Sequence, residues 1–204
     1  MTLPVAILAG GLGKRLGQKT INKAKALIDI AGKPFISRQL NYLSEQGIKD
    51  VVICIAHLGN QIKDYVGNGS KYNLKISYSE DGDQLIGTGG SIKKACQMLD
   101  ENFFILYGDT FLPIDFSLVE KSFLKEKKPA LMTILKNQDL LDKSNAYFMN
   151  NLVEYSKRNP KKYMNYIDYG LNVVKSSIFI NFPSNKSFDL AEVFEELSSK
   201  SLLA

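Results

Sequence analysis

Four glycines and two adjacent cations follow the first apolar run of the chain, in the order Leu8-Ala9-Gly10-Gly11-Leu12-Gly13-Lys14-Arg15-Leu16-Gly17. Glycines here let backbone N–H groups turn toward an anion with no Cβ in the way. Lys14 and Arg15 add positive charge where a triphosphate could lie, and Arg can grip phosphate oxygens with a bidentate fork. A tight strand-to-loop turn with two solvent-facing cations would use the same residues. Two common phosphate motifs are excluded. A P-loop needs Gly-Lys-Ser/Thr, whereas this loop reads Gly13-Lys14-Arg15. The dinucleotide fingerprint needs G-x-G-x-x-G, but Gly11, Gly13 and Gly17 are spaced one residue too long, and Ala56-His57 stands where an acid would follow the second strand.

The elements that must carry this loop are legible as alternating periods. Leu3–Ala9 reads as a buried strand, and 34–47 as a helix with Phe35, Ile36, Leu40 and Leu43 on one face. Strands are predicted over 50–56, 74–79 and 103–107, with helices over 61–66 and 89–99 between them. This β-α-β alternation predicts an α/β fold, a doubly wound, mostly parallel Rossmann-like sheet with helices on both faces. Beyond residue 129 the pattern changes. A strand at 129–135, a small hairpin extension turning at Asn150-Asn151 and a strand at 169–174 precede a final amphipathic helix, whose start is signalled by Asp189 three residues before Glu192. Residues 1–204 read as one domain.

Composition narrows the function classes. Apolar residues are 45% of the chain and charged residues 23%, as in ordinary globular proteins. The net charge of +5 is spread among interleaved acids and no helix carries a clean basic face, so no nucleic-acid partner is expected. No apolar run approaches the roughly 20 residues of a membrane span, and no secretory leader is evident, so no membrane partner and a cytoplasmic location are expected. Cys54 and Cys96 lack metal-ligand spacing and read as free thiols.

Gly10-Gly11-Leu12-Gly13-Lys14-Arg15-Leu16 resembles the G-G-x-G-x-R-L signature of the sugar-1-phosphate nucleotidyltransferases, also called sugar-nucleotide pyrophosphorylases. The resemblance continues, in family order, through Lys25 and Gly32-Lys33-Pro34-Phe35, Tyr78-Ser79-Glu80, Leu85-Ile86-Gly87-Thr88-Gly89-Gly90, Leu106-Tyr107-Gly108-Asp109-Thr110, Ser156-Lys157 and Ile167-Asp168-Tyr169-Gly170-Leu171. It is nearest to the D-glycero-D-manno-heptose 1-phosphate guanylyltransferase-like branch. It implies Mg²⁺-dependent transfer of a nucleoside monophosphate from an NTP to a sugar 1-phosphate, with pyrophosphate released, GTP slightly favoured and UTP or CTP open. Oligomeric state is left open between monomer and homo-oligomer.

Phosphate itself is a competent nucleophile, so the protein mainly has to position two anions and neutralise developing charge. The resemblance gives Arg15, Lys25 and Asp109 the catalytic roles, Arg15 on the triphosphate and Lys25 across from it. Asp109 ends a hydrophobic strand at the carboxyl edge where open sheets bind ligands, and its carboxylate suits Mg²⁺ between triphosphate oxygens. The nucleotide would meet Leu8, Ala9, Gly10, Gly11, Gly13 and Lys14, with Gly87, Thr88 and Gly89 along the base and ribose and Glu80 accepting from the base. Thr88 also reads as the cap of the helix that follows it. Lys157 would meet the sugar phosphate, and Asp168 and Gly170 would line the sugar pocket. His57 and the tyrosines at 163, 166 and 169 read as loop and packing residues.

Two departures from the family pattern stand out. Ala24 replaces the usual proline before Lys25, and a D-I-G-T-like segment that supplies a second metal carboxylate in relatives does not follow the final helix. Two alternatives stay open: a non-catalytic nucleotide-binding regulatory domain of this fold, and a molybdenum-cofactor-type guanylyltransferase.

Overall fold

In the computed structural model of the chain, described residues are 2–82, 84–137, 139–140, 142–184 and 186–204; the side chains of Lys14, Arg15 and Lys19 also lie outside the description. The elements run β1 (Val5–Leu8), a 3₁₀ segment (Lys14–Thr20), a short 3₁₀ turn (Lys25–Leu27), the two-residue pair β2 (Asp29–Ile30) and β3 (Lys33–Pro34), α1 (Phe35–Glu45), β4 (Asp50–Ile55), α2 (Gly59–Val66) and β5 (Lys75–Glu80). Then follow α3 (Gly87–Ala95), β6 (Asn102–Tyr107), α4 (Phe116–Glu126), β7 (Ala130–Lys136), β8 (Ala146–Met149), β9 (Leu152–Tyr155), β10 (Tyr166–Lys175) and α5 (Leu190–Ser199).

The sheet order is β5-β4-β1-β6-β10-β8-β9, with β7 also paired to β10. β5, β4, β1 and β6 are mutually parallel, as the alternating periods predict, while β10 runs antiparallel to β6, β7 and β8. Strand parity separates two apolar layers. Val5, Ile7, Val51, Ile53, Phe104 and Leu106 face the layer that α1, α2 and α4 cover. Ala6, Val52, Cys54, Phe103 and Ile105 face the layer covered by α3 and α5. The predicted hairpin turns at Asn150 and Asn151, both with positive φ (53° and 58°), the pair of left-handed residues that a two-residue turn matching strand twist requires.

Helix α4 is not singled out by the sequence reading. It starts at Asp115, whose carboxylate accepts from the amides of Ser117 and Leu118, and it buries Phe116 and Phe123 while Leu118 and Leu124 stay exposed. Apolar residues on both faces blur the stripe that would mark it. The predicted helix 89–99 instead begins at Gly87, and its last turn tightens to 3₁₀ at Cys96–Met98. Thr88 does not cap that helix, since it lies inside the first turn. Its hydroxyl serves α5, accepting from the Leu190 amide at 2.8 Å and donating to Asp189 at 3.0 Å. Asp189 and Glu192 form the predicted capping box.

α3 and α5 are therefore joined at their starts. The Gly89 amide donates to the Phe188 carbonyl at 3.0 Å, and the Phe188 amide to the Ile86 carbonyl at 3.2 Å. A Cβ on Gly87, which has φ +77°, would stand 2.3 Å from the Phe188 oxygen, and one on Gly89 would stand 2.4 Å from the Phe188 ring. Gly87→Ala is expected to cost about 2 kcal/mol or more in urea unfolding through the left-handed backbone and the clash. Gly11→Ala, with no neighbour within 4 Å of the added carbon, should stay within about 0.5 kcal/mol of the parent; equal losses for the two variants would contradict this account of the α3–α5 junction.

Candidate active site

The chain leaves β1 to build β4 and β5 on one side, then returns to build β6 on the other, so the strand order reverses at β1. Open α/β sheets bind ligands beyond the carboxyl ends of strands at such a point. A cavity of about 470 Å³ lies there, lined by Leu8 to Gly13, Leu16, Lys25, Ala26, Asp81, Leu85, Gly87, Thr88, Ser91 and Tyr107 to Asp109. Of the expected nucleotide residues, Leu8, Ala9, Gly10, Gly11, Gly13, Gly87 and Thr88 line it, as do Lys25 and Asp109. The backbone of Lys14 and Arg15 opens the 3₁₀ segment at the cavity edge, but their side chains fall outside the described residues.

The glycine loop is held open by a residue that motif reading passes over. The buried Thr20 hydroxyl donates to the carbonyls of Gly13 at 3.1 Å and Gly17 at 3.2 Å, and the Gly13 carbonyl also accepts from the Leu16 amide at 2.8 Å. The amides of Gly11, Leu12 and Gly13 donate to no group among the described residues. Such a row of free amides suits an anion.

Lys25 and Asp109, 84 residues apart in sequence, meet at 2.5 Å with side chains 30% and 49% exposed. Each is set from a helix behind it. Buried Gln39 of α1 donates through one amide nitrogen to the carbonyls of Tyr107 at 3.0 Å and Thr110 at 2.8 Å, pinning the turn that presents Asp109. Gln61 of α2 accepts from the Ala24 amide at 2.9 Å and donates to the Asn22 carbonyl at 3.0 Å, pinning the turn before Lys25. Ala24 has φ −56°, a value proline would share, yet proline would lack the N–H that Gln61 accepts.

Glu80 does not reach the cavity. It pairs with Lys63 of α2, while the next residue, Asp81, lines the cavity and takes the Ser91 hydroxyl of α3 at 2.7 and 2.8 Å. The cause is strand parity, because neighbouring residues leave β5 toward opposite layers. Burial raises the Asp81 carboxyl above its ordinary range, opposed by Ser91, Lys94 and the Ile86 backbone. Gly89 lies behind the cavity wall, and what it admits closely is the Phe188 ring rather than a ligand.

Lys157, Asp168 and Gly170 stand outside the 470 Å³ cavity and adjoin it through Tyr107. Between Asp168 and Asn172 the pairing of β10 with β7 shifts register, and Gly170 there has φ +96°. The bulge turns Asp168 inward, where its carboxylate accepts from the Gly170 amide at 2.9 Å and from the Tyr107 hydroxyl. Burial pushes this carboxyl up to about 6 against the pull of those donors and of Lys157. Lys157 also reaches Asp189 at 3.2 Å. Although burial alone would raise Asp189, the Ala191 amide, Lys157 and the Thr88 hydroxyl hold it below the ordinary carboxylate range. His57 sits in an exposed turn, and Tyr163 packs edge-on to Tyr147 at 5.4 Å on the rim.

Comparison with known proteins agrees with this arrangement. The profile of the nucleotidyl transferase family matches residues 5–147. A D-glycero-alpha-D-manno-heptose 1-phosphate guanylyltransferase of Campylobacter jejuni is 31% identical over 191 residues, covering 93% of this chain and 84% of that protein. An N-acetylmuramate alpha-1-phosphate uridylyltransferase of Neisseria meningitidis is 39% identical over 112 residues, 54% of this chain and 48% of that protein. The crystal structure of HddC from Yersinia pseudotuberculosis complexed with GMP-PN superposes with a TM-score of 0.78 at 25% identity, covering 93% of this chain and 83% of that one. With a loop, an ion pair and a strand order that all converge on one cavity, and relatives that match nearly end to end, the chain belongs to the nucleotidyl transferase family, among its sugar-1-phosphate nucleotidyltransferases.

Proposed function

We propose that residues 1–204 act as one nucleotidyltransferase domain that transfers a nucleoside monophosphate, GMP first among the candidates, from an NTP to a sugar 1-phosphate. The observation that carries this reading is the cavity at the strand reversal, which the glycine loop and the Lys25–Asp109 pair line together. A sugar-phosphate oxygen attacks the α-phosphorus in line and pyrophosphate leaves. Oxygen, phosphorus and charge balance without a protein nucleophile, so the residues bind and orient. Arg15 and the amides of Gly11, Leu12 and Gly13 hold the triphosphate, with Leu8 to Gly10 forming the wall beside it, and Lys25 steadies the charge that develops on the transferring phosphoryl group. Gly87 and Thr88 lie beside the ribose. Lys157 meets the sugar phosphate, and Asp168 with the Gly170 backbone offers acceptors and shape to the sugar hydroxyls.

Asp109 fits a Mg²⁺ site of the kind that takes one or two carboxylates and leaves its other positions to phosphate oxygens and water. Its carboxylate is half exposed, at the end of β6 and on the cavity wall. The ion, when bound, would neutralise triphosphate charge that Lys25 and Arg15 otherwise meet alone.

The preference for GTP rests on Asp81. An ionised carboxylate is an acceptor only. Guanine presents two adjacent donors, N1–H and the N2 amino group, whereas uracil offers one N–H between two carbonyls and cytosine an amino group beside an acceptor. The relatives do not share one nucleotide: their names include guanylyl-, uridylyl- and cytidylyltransferases.

Pyrophosphate release from the four NTPs against a panel of sugar 1-phosphates is the direct test; NTP binding with no turnover on any sugar would point to a regulatory domain instead. Arg15→Ala and Lys25→Ala should each lower turnover by about tenfold or more, and Asp109→Asn should abolish the magnesium-dependent rate, with all three still folded. Asp81→Asn should reduce the GTP-over-UTP preference by about tenfold, because one acceptor for guanine becomes a donor; an unchanged preference removes Asp81 from base selection. Asp168 yields a pH signature. Its folded-state value of about 6 against an ordinary 3.8 means the native state binds the extra proton between those limits, so its contribution falls as pH rises through that window. Relative to the parent, Asp168→Asn should therefore gain about 1–2 kcal/mol on going from pH 4 to pH 7 in urea titrations; a flat difference would show that this carboxyl is not desolvated.

A further inference from the structure

α5 presents three carboxylates at three-residue intervals, and each holds part of the loop that carries Lys157. Glu195 accepts the backbone amides of Lys157 at 2.8 Å and Arg158 at 3.2 Å. Glu192 pairs with the Arg158 guanidinium at 2.8 Å while its other duty, the capping box, ties it to the Asp189 amide at 3.0 Å. Asp189 divides its two oxygens. Oδ1 takes the Ala191 amide at 2.9 Å and the Thr88 hydroxyl at 3.0 Å, and Oδ2 takes Lys157 Nζ at 3.2 Å. Thr88 lines the nucleotide cavity. One side chain thus touches the wall of the nucleotide site, the start of α5 and the ammonium of Lys157.

Helix capping alone needs one oxygen, and serine or asparagine would supply it as well. The second oxygen is surplus to the cap. A lysine ammonium is a point charge on a four-carbon stem with much rotamer freedom, so a lysine meant to meet a phosphate gains from a fixed partner. We infer that Asp189 is the positioning residue for Lys157, holding its ammonium for a phosphate group and tying that placement to the nucleotide loop through Thr88. The inference rests on the proposed role of Lys157 and deepens it. Asp189 itself does not touch the phosphate. It stays charged while doing this, since its donors hold it below the ordinary carboxylate range.

The direction of the effect separates this role from simple electrostatics. If Asp189 only contributed a negative field, its removal would tighten the binding of an anion. If it positions Lys157, its removal weakens that binding. Asp189→Asn and Asp189→Ser both keep a capping oxygen and remove the charge, so two variants guard against loss of fold, checked by melting temperature. In the whole chain, competitive amine labelling read by mass spectrometry gives the reactivity of Lys157 against exposed Lys162, with and without inorganic phosphate. Phosphate should protect Lys157 in the parent by about threefold, and the protection should vanish in both variants. KM for the sugar 1-phosphate should rise about fivefold, with KM for the NTP and kcat within about twofold. Protection retained in the variants, no protection in the parent, or a lowered sugar-phosphate KM would each overturn the inference. Absence of turnover in the parent with every NTP and sugar would sink the proposed function instead, and the labelling result would still decide the positioning role.

Discussion

The parallel pairing of β1 with β6 is the constraint on which the site depends. Its register sets Leu8 beside Tyr107, so the glycine loop and the Asp109 turn leave the sheet as neighbours although about a hundred residues separate them in the chain. The Gly108 amide, donating to the Leu8 carbonyl at 3.0 Å, extends the pairing one step beyond the strands. With β4 on the other flank of β1, the loop emerges from the middle of the sheet, between two parallel neighbours. Everything else around the cavity, from Gln39 to Thr20, refines a separation that this pairing has already set.

The region around Lys157 and Asp168 is built differently. It rests on antiparallel β10, on a bulge and on side-chain contacts between loop and helix, each worth little alone when exposed to solvent. The two regions meet at Tyr107, which lines the cavity and interacts with Asp168, and at Thr88, which joins α3 to α5. A site with one half fixed by sheet register and the other by surface contacts has an uneven stiffness.

Sequence alone makes the parallel core legible because buried strands and amphipathic helices leave different periods, and because capping residues mark where α5 begins. The Asn150-Asn151 turn is legible for the same reason, as turn chemistry is local. Glu80 and Asp81 show where that reading stops. Which of two adjacent acids faces the cavity is decided by strand parity relative to layers that only the folded sheet defines. Gln39 and Gln61 leave no local signal either, since their partners lie 37 to 71 residues away. Helix α4 escaped because apolar residues on its solvent face dilute its stripe.

The bond from Ala24 to Gln61 has a consequence for how Lys25 is held. A proline stiffens a loop through its own ring, whatever happens elsewhere in the molecule. Here the same backbone angle is kept by a partner on α2, so the restraint is borrowed rather than owned. Any local opening of α2 releases the Lys25 turn with it, and the positive charge facing Asp109 loses its fixed position before the sheet itself has changed. The placement of Lys25 is thus set in part by a helix that does not line the cavity.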